Sequence, residues 1–304
     1  MPSLEPTQLL LLAAAALLAG AVNAVAGGGS LLSFPALLAV GYPAITANVT
    51  NSVALTPGYF GGTLGYRREL AGQRRRILAL GVTSATGAVV GAVLLLVSSP
   101  ELFETIVPFL IFLACGLLAV QPRLARLVRA RREDHADPEP GELQHSELQP
   151  GDPGPGDPVP GDPRPGDPRP GDPRPGDPAA GRSGPDRHTG PLFTAQFLAA
   201  VYGAYFGAGV GIMMLAILGI FLTDSLQRLN ALKGLLSLVV AVVAAVWFAL
   251  FAEVSWVAVA VMAVASLVGG QLGVVLARRL NDQVLRWLVV AFGVAVGLRL
   301  LLAG

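Results

Sequence analysis

NAVAGGGSLLSFP, residues 23–35, breaks an apolar run with three consecutive glycines and a proline. YGAYFGAGVG, residues 202–211, breaks the second half of the chain in the same way. Each break is followed at a matching distance by a polar cluster, ANVTNS at 47–52 and LNALKGLLS at 229–237. Gly27 and Gly29 recur 182 positions later as Gly209 and Gly211, and Asn48 recurs as Asn230. Gly87 and Gly91 recur as Gly269 and Gly273, and Asn51 corresponds to Lys233. The offset holds without gaps from position 27 to 91, so two copies of one helical bundle are predicted.

Between and beyond the breaks the chain is greasy. It is 53% hydrophobic and 13% charged, against about 25% charged in a typical soluble domain. Its apolar residues come in blocks, which predicts an all-α polytopic membrane protein. The candidate segments are 7–26, 31–46, 48–66, 77–97 and 102–120, then 192–211, 212–227, 230–251, 255–277 and 283–302. All are read as helical, because lipid leaves no partner for an open strand edge. Segments 31–46 and 212–227 are short enough to be re-entrant. No Lys or Arg precedes Arg67, so residues 7–26 are expected to be a retained membrane segment and not a secretory signal.

Three domains are expected: a first transmembrane repeat at 1–120, a linker at 121–190 and a second transmembrane repeat at 191–304. The linker carries six PGDP units from Pro150 to Ala179. A period of five with two prolines per unit excludes the collagen triplet and predicts a disordered, partly extended tether. All three histidines, His135, His145 and His188, fall in it, so none is available for a proton relay in the membrane.

The basic residues give the two halves opposite senses. Arg67, Arg68, Arg74, Arg75 and Arg76 lie between the third and fourth segments, whereas the equivalent loop around Glu253 has none. The loop at Ser98 to Glu101 has none, whereas its counterpart carries Arg278 and Arg279. By the positive-inside rule the repeats are inverted, each with an odd number of crossings. The basic loops and the linker are expected in the cytoplasm, with both termini outside.

Lys233 is the only lysine in the chain. A charge at a helix centre costs about 2.5–3.5 kcal/mol on insertion scales. No Asp or Glu lies at its depth in any segment, so a bound anion is one candidate partner. The other reading has Lys233 near a helix end, reaching water with its amine. Arg286 and Arg299, close to segment ends, are read as reaching water. Asn48, Asn51 and Asn230 serve either as glue between helices or as site groups. Ser30, Ser52 and Ser237 either donate to an anion or bond back to their own helix. The glycine breaks expose backbone N–H groups, which with a helix N-terminus form an anion site. The pairs Gly87/Gly91 and Gly269/Gly273 are read as helix-packing glycines. The single cysteine, Cys115, excludes an internal disulfide. No Ser/His/Asp set, metal-ligand cluster or intramembrane carboxylate pair is visible, so no enzyme, metal or cofactor is predicted. The net charge of +1 gives no reason to expect nucleic acid.

The order NAVAGGGSLLSFPALLAVGYPAITANVTNSVAL, then LGYRR, resembles the first half of the sulfite exporter TauE/SafE family of membrane permeases. Gly61 to Arg68, GGTLGYRR, fits the end of that pattern, and YGAYFGAGVGIMML with LNALKGLLS is similar to its companion repeat. The resemblance covers both membrane halves and omits the linker, which departs from the family's usual short connection. It implies movement of small anions across the inner membrane, often sulfite, sulfonates or other sulfur-containing organic acids. It also implies that Asn48, Asn51, Asn230 and Lys233 fall in the family's polar clusters.

The expected function is therefore a multi-pass permease of the cell membrane, moving a small anion by alternating access between two inverted repeats. In that reading Lys233 supplies charge. Asn48, Asn51, Ser52 and Asn230 supply hydrogen bonds. Gly27, Gly28, Gly29, Gly207, Gly209 and Gly211 supply close backbone. The partners are the small anion and the lipid bilayer. The alternative is a membrane assembly or interaction protein without transport.

Overall fold

A computed structural model describes residues 4–25, 27–65, 68–133, 189–222, 224–276 and 282–303. Among these described residues are ten helices: α1 (Pro6–Val25), α2 (Ser30–Ala39), α3 (Ala44–Gly65), α4 (Arg74–Val97), α5 (Pro100–Glu133), α6 (Thr189–Tyr205), α7 (Val210–Phe221), α8 (Leu226–Phe251), α9 (Trp256–Leu276) and α10 (Asp282–Ala303). No strand occurs among the described residues. The PGDP units and the three histidines lie outside the described residues, as do Arg67, Arg278 and Arg279.

The element order repeats. Helices α3, α4 and α5 begin at Ala44, Arg74 and Pro100, and α8, α9 and α10 begin 182 positions later at Leu226, Trp256 and Asp282. Contacts between helices come in exchanged pairs. Helix α1 packs on α9 as α6 packs on α4, and α3 packs on α9 as α8 packs on α4. Helices α3 and α8 meet each other, as do α5 and α10.

Side chains give the directions. Thr56 Oγ1 donates to the Ala241 carbonyl at 3.4 Å, and Gly234 lies beside Thr63. The contact moves up one helix as it moves down the other, so α3 and α8 are antiparallel. Cys115 reaches the Val290 carbonyl while Gly297 packs on Phe112, so α5 and α10 are antiparallel too. By contrast Gly87 and Gly91 face Phe197 and Val201 in step, so α4 and α6 run parallel.

Small residues set these spacings. A Cβ on Gly91 would meet the Val201 carbonyl, and one on Gly269 would meet the Leu17 carbonyl. Glycine at these positions lets the backbones touch, which gains dispersion contact where lipid offers no hydrophobic drive.

Five helices are long and apolar enough to cross a membrane among the described residues, over 6–23, 74–97, 100–123, 227–251 and 256–273. Large apolar side chains such as Leu10, Val97, Leu250, Phe251, Trp256 and Leu288 stand exposed around the bundle, the outward face a lipid solvent requires. Helix α2 has 10 residues and α7 has 12. At 1.5 Å per residue each spans about 15–18 Å, roughly half a bilayer core.

Helix α5 outruns the segment 102–120 read from hydropathy and continues to Glu133. Residues 121–133 are rich in Leu, Ala and Arg. They are good helix formers whose charge stops an apolar window without stopping a helix.

Candidate functional site

Each half of the chain breaks at its glycines and restarts as a short helix. Helix α1 ends at Val25 and α2 starts at Ser30; α6 ends at Tyr205 and α7 starts at Val210. Gly27 (φ +80°) and Gly209 (φ +77°) occupy equivalent positions and share the left-handed conformation. Gly207 adopts it as well, at φ +81°. L side chains avoid this region, so the turns need glycine. The two breaks touch, because a Cβ on Gly27 would lie 3.9 Å from the Gly211 Cα.

No side chain caps the first turn of α2 or α7. The first residues of both helices, Ser30 and Val210, line one cavity of about 30 Å³. That is room for one or two waters. Helices α3 and α8 supply the opposing walls through Ser52, Tyr59 and Ser237. No carboxylate lines this space. Two helix N-termini and four hydroxyl-bearing side chains therefore converge on one place, which favours negative charge.

The residues singled out in the sequence are distributed unevenly around this cavity. Ser52 and Gly207 line it. Ser52 Oγ also donates to the Asn48 carbonyl at 2.9 Å. Asn48 and Asn51 are fully buried and off the wall. Asn48 Nδ2 donates to the Tyr205 carbonyl at 2.8 Å, and Asn51 Oδ1 accepts from Ser33 Oγ at 2.6 Å. Gly28 packs against Leu118, Gly29 against the Ala19 carbonyl, and Gly209 against Ala114. Asn230 is half-buried in the first turns of α8.

Lys233 is half-buried. It precedes the wall residue Ser237 by four positions, which places both on one face of α8. Its stem lies 3.8–3.9 Å from where a Gly211 Cβ would stand. Lys233 thus borders the start of α7 without lining the cavity, and it has no carboxylate partner among the described residues.

Ser30 and Ser237, weighed in the sequence between anion donors and back-bonded hydroxyls, stand on the wall. Ser237 Oγ donates across to Met214 Sδ at 3.4 Å and does not bond back to its own helix. Two residues were passed over. Tyr59 lines the cavity two turns after Ser52. Asn23 Oδ1 accepts the Gly29 N–H at 2.8 Å and so shapes the first break. Its place inside NAVAGGGS was the available signal. Among the described residues no group of His, Cys, Asp and Glu is arranged to hold a metal.

Comparison with known proteins adds family and relatives. The model of the family described as Sulfite exporter TauE/SafE matches residues 12–300. The chain is 31% identical over 116 residues to "Probable membrane transporter protein ORF9" of Sinorhizobium sp, covering 38% of this chain and 44% of that one. It is 30% identical over 129 residues to "Probable membrane transporter protein YfcA" of Escherichia coli K12, covering 42% and 48%. A "Probable membrane transporter protein" of Haemophilus influenzae is 34% identical over 96 residues, covering 32% and 37%. The matched stretches span less than half the length of these relatives. No solved structure matches the chain.

Proposed function

The chain belongs to the sulfite exporter TauE/SafE family and is a multi-pass membrane protein, and from that premise we propose that it is a permease for a small anion. Sulfite, a sulfonate or a related sulfur-containing organic anion is the cargo this reading favours. One observation carries it: the first residues of α2 and α7 open on a single cavity that holds hydroxyls and no carboxylate. Helix N-termini carry about half a positive charge each, so the cavity attracts an oxyanion and repels a cation. Lys233, one turn along α8 from Ser237, adds a full charge on the approach to it.

The two bundles act as inverted repeats. The antiparallel run of the equivalent helices α3 and α8, and of α5 and α10, supports this. So does the reversed placing of the arginines in the sequence. Rocking of one bundle against the other opens the cavity to each side in turn. The same motion widens a space whose volume of about 30 Å³ now fits no more than one or two waters. No bond is made or broken in this cycle, and no cofactor enters it.

The test is flux into proteoliposomes of the purified full-length protein. Sulfite, a short sulfonate, a simple carboxylate and a monovalent cation are offered in parallel, with and without a pH gradient. Saturable uptake of a sulfur oxyanion above empty liposomes, with none of the cation, is expected. Cation uptake, or no uptake of any anion in either condition, contradicts the reading.

A further inference from the structure

Tyr42 and Asp224 stand 182 positions apart, at equivalent places just before α3 and α8. Each reaches across to the other repeat. Asp224 Oδ2 pairs with Arg76 Nη1, in the first turn of α4, at 3.1 Å, and Asp224 Oδ1 lies 3.2 Å from Arg228 Nε. The Tyr42 hydroxyl lies 2.7 Å from Ser255 Oγ, just before α9. Thr50 Oγ1 accepts the Ser255 N–H at 3.2 Å beneath it. Because α4 and α9 are themselves equivalent, these are two versions of one contact. Because α3 and α8 are antiparallel, the contacts sit at opposite ends of the bundle. Counted along the chain to the first wall residue, Ser52 or Ser237, they lie about 15 Å and about 20 Å from the cavity.

We propose that these contacts are the two gate latches of the transport cycle, ionic on the Arg76 side and hydroxyl-to-hydroxyl on the Tyr42 side. This rests on the alternating-access reading and assigns its two gates. A transporter that opens to one side at a time must part the repeats at one end while they stay joined at the other. The contacts here join the repeats at both ends, and each would have to break for its own side to open. Their chemistry differs. The Asp224 carboxylate is 14% exposed and Arg76 21% exposed, so the ionic latch is partly open to solvent salt and weakens modestly as ionic strength rises, less than a fully exposed pair would. Tyr42 and Ser255 are both about 4% exposed and carry no charge, so that latch is indifferent to salt. Salt therefore biases the protein toward opening on the arginine side.

The experiment measures access to the cavity directly and needs no transported substrate, so it fails or succeeds separately from the anion reading. Ser237→Cys is placed in a Cys115→Ser background of the full chain in membrane vesicles of both orientations. Labelling by a membrane-impermeant maleimide is followed from each side. Asp224→Asn is expected to raise the labelling rate about threefold to tenfold from the Arg76 side alone, because only that state gains population. Tyr42→Phe is expected to raise it from the opposite side alone. The exchange Arg76→Asp with Asp224→Arg, made together with Arg228→Gln so that the new arginine does not face Arg228, is expected to restore the rate of Arg228→Gln alone, which a variant that merely unfolds would not do. High salt should raise labelling from the Arg76 side by less than Asp224→Asn does, and leave the Tyr42 side unchanged. Labelling raised equally from both sides, or raised by neither substitution in protein that remains monodisperse in detergent, overturns the proposal.

Discussion

Asn48 donates its side-chain amide to the Tyr205 carbonyl at 2.8 Å, and that bond ties α3 in the first half of the chain to the broken end of α6 in the second. Asn48 is fully buried, so truncation takes this donor from the Tyr205 carbonyl and leaves a small void in its place. The expected cost of Asn48→Ala is about 1–3 kcal/mol. A lower Tm in detergent, measured by thermal unfolding of the purified variant, checks it. An unchanged Tm would show that the bond contributes nothing to joining the repeats.

Gly29 and Gly211 are equivalent in the repeat but differ in their surroundings. A Cβ on Gly29 would meet the Ala19 carbonyl and lie 2.9 Å from Asn23 Cγ. On Gly211 it would make ordinary contact with the Lys233 stem at 3.8 Å. Gly29→Ala is therefore expected to cost about 1–3 kcal/mol or more. Gly211→Ala is expected to stay within about 0.5 kcal/mol of the parent. Melting temperatures of the two variants side by side decide the point, and equal losses would contradict the geometry.

A parallel contrast lies along α4. Gly81 has open space where a Cβ would be, while Gly91 touches the Val201 backbone of α6. Gly81→Ala is expected to stabilise by about 0.5–1 kcal/mol, because glycine is a poor helix residue. Gly91→Ala is expected to separate α4 from α6 and lower both yield and Tm. If both substitutions stabilise, the helices do not pack through Gly91.

The helical architecture was readable because lipid enforces it: a chain with apolar blocks of this length has few alternatives to helices. The short α2 and α7 were marked by their glycine-rich starts, and their lengths fit half a membrane. The end of α5 was not readable from hydropathy, because charge at Arg123 and Arg126 ends an apolar window but not a helix. Around the cavity, Ser52 and Gly207 came from reading polar groups near the breaks. Tyr59 did not, since an aromatic on an apolar helix looks like core until its wall partners are known. The Arg76–Asp224 pair was invisible for another reason. Its members lie 148 positions apart, and nothing local says that the first turn of α4 meets the residues just before α8.

Lys233 has one further prediction attached to it, in its conservative exchange. Lys233→Arg keeps the charge but replaces a point ammonium with a wider planar group beside Gly211. It should retain transport with weakened apparent affinity, read as a raised KM at a similar maximal rate.

The most direct test of the whole account is the concentration dependence of sulfite uptake by proteoliposomes carrying wild type or Lys233→Gln. Loss of the attracting charge on the approach to the cavity predicts uptake at low sulfite reduced about tenfold or more, with the protein still folded and inserted. Uptake by Lys233→Gln equal to wild type at every concentration would contradict the claim that this lone ammonium serves a passing anion.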